Sequence, residues 1–215
     1  MVRVYNIGTV YDLVVFDLDG TLIDSVGDIN DALGRTLGRT FSDGEVARWV
    51  GSGVLELLRR AGAEGDLVAL ARKYRAEYAA SPVKHTRPYL RVKETLATLT
   101  MAKTIATNKP GNLARVIVDR LGLASAFELI LGEDDVGARK PDPLIVDVAR
   151  GKLGATRART LYVGDSLVDA ETARAAGVDL CLVTYGYEDP EKIRAAPARF
   201  HIDRFDALEP ILAAK

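Results

Sequence analysis

The stretch Val14-Val15-Phe16-Asp17-Leu18-Asp19-Gly20-Thr21-Leu22-Ile23-Asp24-Ser25 decides how the rest of the 215-residue chain is read. The apolar run Leu13–Phe16 has the length and continuity of a strand buried on both faces of a parallel sheet, and two carboxylates one residue apart stand where it must stop. Ligands of open α/β sheets bind outside the carboxyl ends of the strands, so Asp17 and Asp19 stand at the mouth of a candidate site. Gly20 and Thr21 allow a tight turn. Taken alone, Asp19-Gly20 reads more readily as a turn and Asp17 as a helix cap. The pattern further along reverses that preference.

Downstream of the strand the texture is helical. Asp24-Ser25 has the chemistry of an N-cap for a helix reaching about Leu37, and Ser42-Asp43 with Glu45 opens a short helix carrying Trp49. Gly51-Ser52-Gly53 interrupts the pattern, apolar spacing resumes at Val54-Leu55-Leu57-Leu58, and a further helix spans 66–80. No convincing strand falls between 24 and 86. Beyond Pro88 the elements alternate: helix 91–99, strand 103–107, helix 112–121, strand 129–131, helix 143–153, strand 160–163, helix 167–176, strand 179–183. That alternation specifies an α/β fold, a Rossmann-like parallel sheet with helices on both faces and a small all-α cap inserted after the first strand. The core is expected at 1–23 and 87–215 and the cap at 24–86. Residues 2–5 alternate weakly, as an edge strand or an ordered arm would.

Three later strands also end in polar residues: Thr107-Asn108-Lys109-Pro110, then Arg139-Lys140-Pro141-Asp142 after a loop, then Gly164-Asp165-Ser166 with Asp169 a helical turn on. Each alone reads as a cap, a turn or a solvated charge. Parallel strands would bring all four tips to one edge of one sheet, and the joint occurrence outweighs the separate readings.

Composition narrows the partners. The chain is 48% hydrophobic and 27% charged with formal net charge -1, and its basic residues are scattered, so neither a nucleic-acid nor a membrane surface is expected. One cysteine, Cys181, excludes an internal disulfide, and with two histidines a thiolate or imidazole zinc cage is implausible. Cys181 reads as a buried strand thiol. Residues 1–8 carry no signal-peptide core and no apolar run approaches a membrane span, which places the expected location in the cytoplasm.

With these residues in view, the sequence resembles the haloacid dehalogenase superfamily of phosphohydrolases. The motifs are Asp17-Leu18-Asp19-Gly20-Thr21, Thr107, Lys140, and Gly164-Asp165 with Asp169. The run Arg48 to Leu58, with Thr107-Asn108-Lys109-Pro110 and Val163-Gly164-Asp165-Ser166, is similar to the phosphoglycolate phosphatase branch. Two departures stand out: Pro88-Tyr89-Leu90-Arg91, where that branch usually continues Tyr-Pro-Gly, and a short link from Leu99 to Thr107. The resemblance implies a hydrolase of small phosphomonoesters, 2-phosphoglycolate first. Asp17 would be the nucleophile and Asp19 the acid and base. Lys140 and Thr107 would contact the transferring group, with backbone amides at Leu18 and Asn108 completing the cradle. The Asp17 and Asp165 carboxylates and the Asp19 carbonyl would hold Mg²⁺, which oxygen-only ligation suits. Asp169 would orient a water on the metal or hold Lys140. Gly51, Ser52 and Gly53 are expected to face the substrate's other end, while Lys84, His85 and Arg87 read as a solvated hinge rather than a carboxylate site, and Trp49 and Tyr89 as packing residues. A monomer or homodimer is expected. The rival readings are a sugar-phosphate mutase, which usually has Val where this chain has Thr21, a pyrophosphatase, and a non-catalytic phospho-signalling module.

Overall fold

All four side chains of β1 (Leu13–Phe16) are fully buried, Leu13 and Val15 in the apolar cluster on one face of the sheet and Val14 and Phe16 in that on the other. This is the environment a continuous apolar strand requires. The computed structural model describes residues 11–213, so the edge strand or arm expected at residues 2–5 lies outside the described residues.

After β1 the chain turns into β2 (Ile23–Asp24), which pairs antiparallel with β3 (Arg87–Pro88), Ile23 opposite Pro88 and Asp24 opposite Arg87. Between them lie α1 (Val26–Leu37), α2 (Asp43–Ala47), α3 (Val54–Arg60) and α4 (Leu67–Ala80). The two links read from sequence as plain linkers are thus a short ribbon, which two-residue strands are too brief to announce. Trp49 falls just past α2 rather than within it, stacked edge-on against Phe41 with ring centres 5.5 Å apart. The Ser42 capping box with Glu45 forms as the sequence pattern expects. Ser25, by contrast, makes no side-chain cap to α1; its hydroxyl is drawn to Asp19 instead.

The remaining strands are β4 (Ala102–Thr107), β5 (Leu129–Gly132), β6 (Thr160–Gly164), β7 (Asp179–Val183) and β8 (Phe200–Ile202). They form with β1 a six-stranded sheet in the order β5-β4-β1-β6-β7-β8, every neighbouring pair parallel. The order reverses direction at β1, where an open α/β sheet splays its loops apart and leaves a crevice. On one face pack α5 (Val92–Thr98), α6 (Gly111–Arg120) and, near the end of the described chain, α11 (Leu208–Leu212); their apolar cluster runs unbroken into the helices between β2 and β3. On the other face pack α8 (Leu144–Leu153), α9 (Leu167–Ala176) and α10 (Pro190–Ala195). A single-turn helix, α7 (Glu133–Val136), caps the end of β5. Sequence reading stopped at Val183, so β8, α10 and α11 are additions from the structure. Cys181 is buried in β7, and burial pushes its thiol far up, as an inert strand thiol requires.

Both departures from the phosphoglycolate phosphatase pattern have local consequences. Arg91 takes a left-handed conformation at φ 67°, at the position where that branch usually has its glycine. The short link after α5 is tied by Lys103, whose buried ammonium donates to the carbonyls of Leu99 and Met101 at 2.8 and 2.9 Å.

Candidate active site

Parallel register brings the strand ends together. Phe16 is level with Ile105 on one side and Val163 on the other, and the Asp17 amide continues the ladder by donating to the Val163 carbonyl at 2.9 Å. Asp17 therefore emerges between the tips of β4 and β6, beside Thr107 and Asp165. The loop after α7 brings in Lys140, held by reciprocal bonds with Asn108: the Lys140 amide donates to Asn108 Oδ1 at 2.8 Å and Asn108 Nδ2 donates to the Lys140 carbonyl at 3.2 Å.

The buried ammonium of Lys140 donates to Asp17 Oδ1 at 2.6 Å, Asp169 Oδ1 at 2.8 Å and Tyr162 Oη at 3.1 Å. Asp169 is fully enclosed. Its other oxygen accepts from the amides of Asp165 and Ser166 at 3.2 and 3.1 Å and from the Ser166 hydroxyl at 2.6 Å. Asp165 accepts from the Thr21 hydroxyl at 3.1 Å and the Tyr187 amide at 2.8 Å. Gly20 and Gly186 make this approach possible, because a Cβ at either would collide with the Asp165 side chain.

Carboxylate oxygens of Asp17, Asp165 and Asp169 lie within 4.8 Å of one another, all three residues buried, with one lysine among them. Burial, reinforced by the charge of Asp169 and opposed by Lys140, pushes the Asp17 carboxyl up to about 7. Burial and the charges of Asp169 and Asp17 push Asp165 well up. For Asp169 the burial cost is outweighed by Lys140 and by hydrogen bonds from Lys140, Ser166 and Tyr162, which hold it below the usual carboxylate range. Burial by itself would lower Lys140, but Asp169 and Asp17 hold it well above its ordinary value. With all three carboxylates ionised, Lys140 would leave two negative charges uncompensated in an all-oxygen donor set, which is why protons are held there so firmly. A hard divalent cation fits that deficit, and a soft-ligand metal does not.

Asp19 faces away from this cluster. Its Oδ1 accepts from Lys109 Nζ at 2.9 Å and from the Ser25 hydroxyl at 2.5 Å. Lys109 in turn donates to Tyr78 Oη of α4 at 2.9 Å and sits 4.5 Å from that ring's centre. Between Asp17, Asp19 and the helices above them lies a pocket of about 70 Å³. Gly51, Gly53, Thr107 and Asn108 line it, as do Arg75 and Lys109 among otherwise mostly apolar neighbours that include Trp49.

A family model for haloacid dehalogenase-like hydrolases matches residues 14–183, most of the chain and all four strand ends. The chain belongs to this family. The phosphoglycolate phosphatase of Pseudomonas putida is 37% identical over 94% of this chain and 80% of its own length. That of Pectobacterium atrosepticum is 34% identical over 93% of this chain and 91% of its own. The crystal structure of a predicted phosphoglycolate phosphatase from Haemophilus somnus superimposes with a TM-score of 0.86 at 28% identity, over 94% of this chain and 97% of that one.

Among the residues expected in the site of this haloacid dehalogenase-like hydrolase, Asp17, Lys140, Asp165 and Asp169 form one cluster, and Asp17, Asp19, Thr107 and Asn108 share the pocket with Gly51 and Gly53. One placement differs from expectation: Ser52 does not line the pocket; its carbonyl accepts from Arg139 at 3.4 Å. The Leu18 side chain lies in the core, and the expectation for this residue concerned its backbone amide. Lys84 and His85 reach Asp31 at 3.0 and 3.4 Å on the outer side of α1, and Arg87 donates to the carbonyls of Thr86 and Lys84. Tyr89 packs on Tyr185, ring centres 4.8 Å apart. Sequence reading missed the roles of Lys109, Thr21, Ser25, Tyr78, Tyr162 and the loop carrying Gly186 and Tyr187. Lys109 stands in the run quoted for the β4 tip, and Thr21 and Ser25 in the stretch that follows β1, whereas Tyr78, Tyr162 and the loop carrying Gly186 and Tyr187 had no such signal. Among the described residues no helix is long and apolar enough to cross a membrane.

Proposed function

We propose that the chain is a phosphoric monoester hydrolase for a small phosphorylated carboxylate, 2-phosphoglycolate first, working with Mg²⁺ and through a phosphorylated Asp17. The observation that carries the reading is the meeting of Asp17, Lys140, Thr107 and Asp165 at one sheet edge, beside a small pocket that Asp17 and Thr107 also line. The carboxylate of Asp17 forms a bond to phosphorus as the ester P–O bond breaks, and Lys140 draws charge from the oxygens around it. Thr107 and the amides of Leu18 and Asn108 hold the transferring group. Asp19 gives a proton to the leaving alkoxide, then accepts one from the water that attacks phospho-Asp17, so phosphate leaves and the carboxylate is restored. Asp17, Asp165 and the Asp19 carbonyl are the ligands for Mg²⁺, which when bound supplies the positive charge that lets an anionic nucleophile meet a dianionic phosphoryl group. Asp169 holds Lys140 in place from a turn further on.

The substrate class is read from the charge of the pocket. Arg75 and Lys109 bring positive charge to its wall, which suits a carboxylate. Both Pseudomonas putida and Pectobacterium atrosepticum relatives are phosphoglycolate phosphatases. Residues 24–86 act as a cap that opens at the β2–β3 ribbon to exchange substrate and closes to exclude water, with the Gly51-Ser52-Gly53 loop over the site. The enzyme works in the cytoplasm, as a monomer or homodimer.

The test is turnover with Mg²⁺ on 2-phosphoglycolate, pyrophosphate and hexose phosphates, together with acid-quenched protein examined by peptide mass spectrometry. Phosphate on Asp17, preference for 2-phosphoglycolate and no turnover by Asp17→Asn are expected. Undiminished turnover by Asp17→Asn would remove the mechanism.

A further inference from the structure

In the loop after β7, Tyr187 joins two parts of the molecule. The Tyr187 amide donates to Asp165 Oδ2 at 2.8 Å, while its hydroxyl, at the other end of the side chain, accepts from the Ser25 amide at 2.6 Å and donates to Asp24 Oδ1 at 3.0 Å. Asp24 belongs to β2, the first strand of the hinge ribbon, and Ser25 is its direct continuation into α1. The Ser25 hydroxyl, 3.4 Å from that of Tyr187, donates to Asp19 Oδ1 at 2.5 Å. The chain of contacts therefore runs from the acidic cluster, through one side chain, to the hinge and on to Asp19. Ser25 is fully buried, Gly186 lets the loop close onto Asp165, and the neighbouring Tyr185 hydroxyl fastens the same loop to the Thr21 carbonyl at 2.9 Å.

We infer that Tyr187 is a positioning residue for catalysis: its hydroxyl sets the path of the Asp24-Ser25 segment, and through the Ser25 hydroxyl the rotamer and reach of Asp19. Nothing in the chemistry of Tyr187 requires it to touch substrate. Its backbone end registers the Asp165 side of the site, its phenolic end registers the cap hinge, and a rigid ring fixes the distance between them. Removing the hydroxyl frees the segment without altering the amide contact to Asp165 or the bulk of the ring.

The inference rests on the reading of Asp19 as the acid, and the experiment separates the two. A 2-phosphoglycolate leaving group is an alkoxide that must be protonated; the acetate leaving from acetyl phosphate needs no proton. The ratio kcat/KM reports on steps through phosphoryl transfer to Asp17 and is blind to the later attack of water, so comparing the two substrates isolates proton donation. Tyr187→Phe is expected to lower kcat/KM for 2-phosphoglycolate about tenfold and leave that for acetyl phosphate within twofold. Ser25→Ala should show the same split, with the double variant no worse than the worse single one. Asp19→Asn is the control. If it lowers both substrates equally, the acid assignment falls; if it shows the split and Tyr187→Phe does not, the inference about Tyr187 falls. An equal loss on both substrates for Tyr187→Phe would show a merely structural role. Should the Phe variant not fold, Asp24→Ala, which removes the acceptor of the Tyr187 hydroxyl at an exposed position, is read by the same ratio.

Discussion

Lys109 is a buried cation with polar partners on opposite sides of the pocket, Asp19 on the sheet side and Tyr78 on the helical side. A charge so placed is free to exchange Asp19 for a substrate carboxylate, and a hydrogen bond to a charged group contributes about 1.5–3 kcal/mol, roughly ten- to a hundredfold in binding. Lys109→Met is therefore expected to raise KM for 2-phosphoglycolate by at least about tenfold, with a smaller effect on ethyl phosphate, which lacks the carboxylate. Equal losses on both, in steady-state assays side by side, would exclude carboxylate recognition. For Asp19→Asn the expected cost in kcat on 2-phosphoglycolate is about 10²-fold or more, the ordinary contribution of a positioned proton donor. Asp17, Asp19, Lys140 and Asp165 were legible from their places at strand ends. Thr21 and Tyr162 were not: a threonine in a turn and a tyrosine in a strand look the same whether or not a carboxylate lies opposite, and each finds its partner more than a few residues away in sequence.

Among the elements, the start of α5 carries strain and the start of α1 carries a clamp. Arg91 has φ 67°, which costs a side-chain-bearing residue about 1–3 kcal/mol and glycine almost nothing. After allowing for the greater freedom of glycine in the unfolded chain, Arg91→Gly is expected to stabilise the protein by about 1 kcal/mol, read as a rise of about 2–4 °C in Tm. In α1, buried Asp28 accepts from the His85 amide at 3.0 Å, the Thr86 amide at 2.9 Å and the Thr86 hydroxyl at 2.6 Å, binding the return linker to the first helix. Asp28→Ala leaves those donors unpaired and is expected to cost about 3 kcal/mol, with faster proteolysis around residues 81–87. Helix and strand identities could be read from periodicity because long alternating segments repeat their signal. The β2–β3 ribbon and β8 could not, since two or three residues hold no period, and α10 and α11 are barely longer than one turn.

At the scale of the whole molecule, folding concentrates three buried carboxylates around one lysine, and pH should report it. Asp17 is raised from its ordinary value of 3.8 to about 7, and Asp165 is raised as well. A carboxyl whose folded pKa lies above its unfolded one stabilises the fold fully below about pH 4 and loses that contribution as pH rises through 7. Asp169 is shifted the other way, and its contribution changes only below the usual carboxylate range, outside this window. Metal-free protein should therefore lose thermal stability between pH 5 and 8. The stabilisation by Mg²⁺ should grow over the same interval, because protons no longer compete for the carboxylates. Thermal unfolding with chelator and with Mg²⁺ across that range checks both, and a Mg²⁺ effect independent of pH would argue against these ligands. Local chemistry and spacing were sufficient for the parallel α/β core, the helical insertion and the acidic and basic residues at the strand tips, because periodicity and strand-end position are written along the chain. The direction of Asp19 toward Lys109 and Ser25, the pocket's walls of Arg75 and Tyr78, and the reach of Tyr187 to Asp165, Asp24 and Ser25 depend on contacts between segments up to 163 residues apart, which are fixed only when the loops pack.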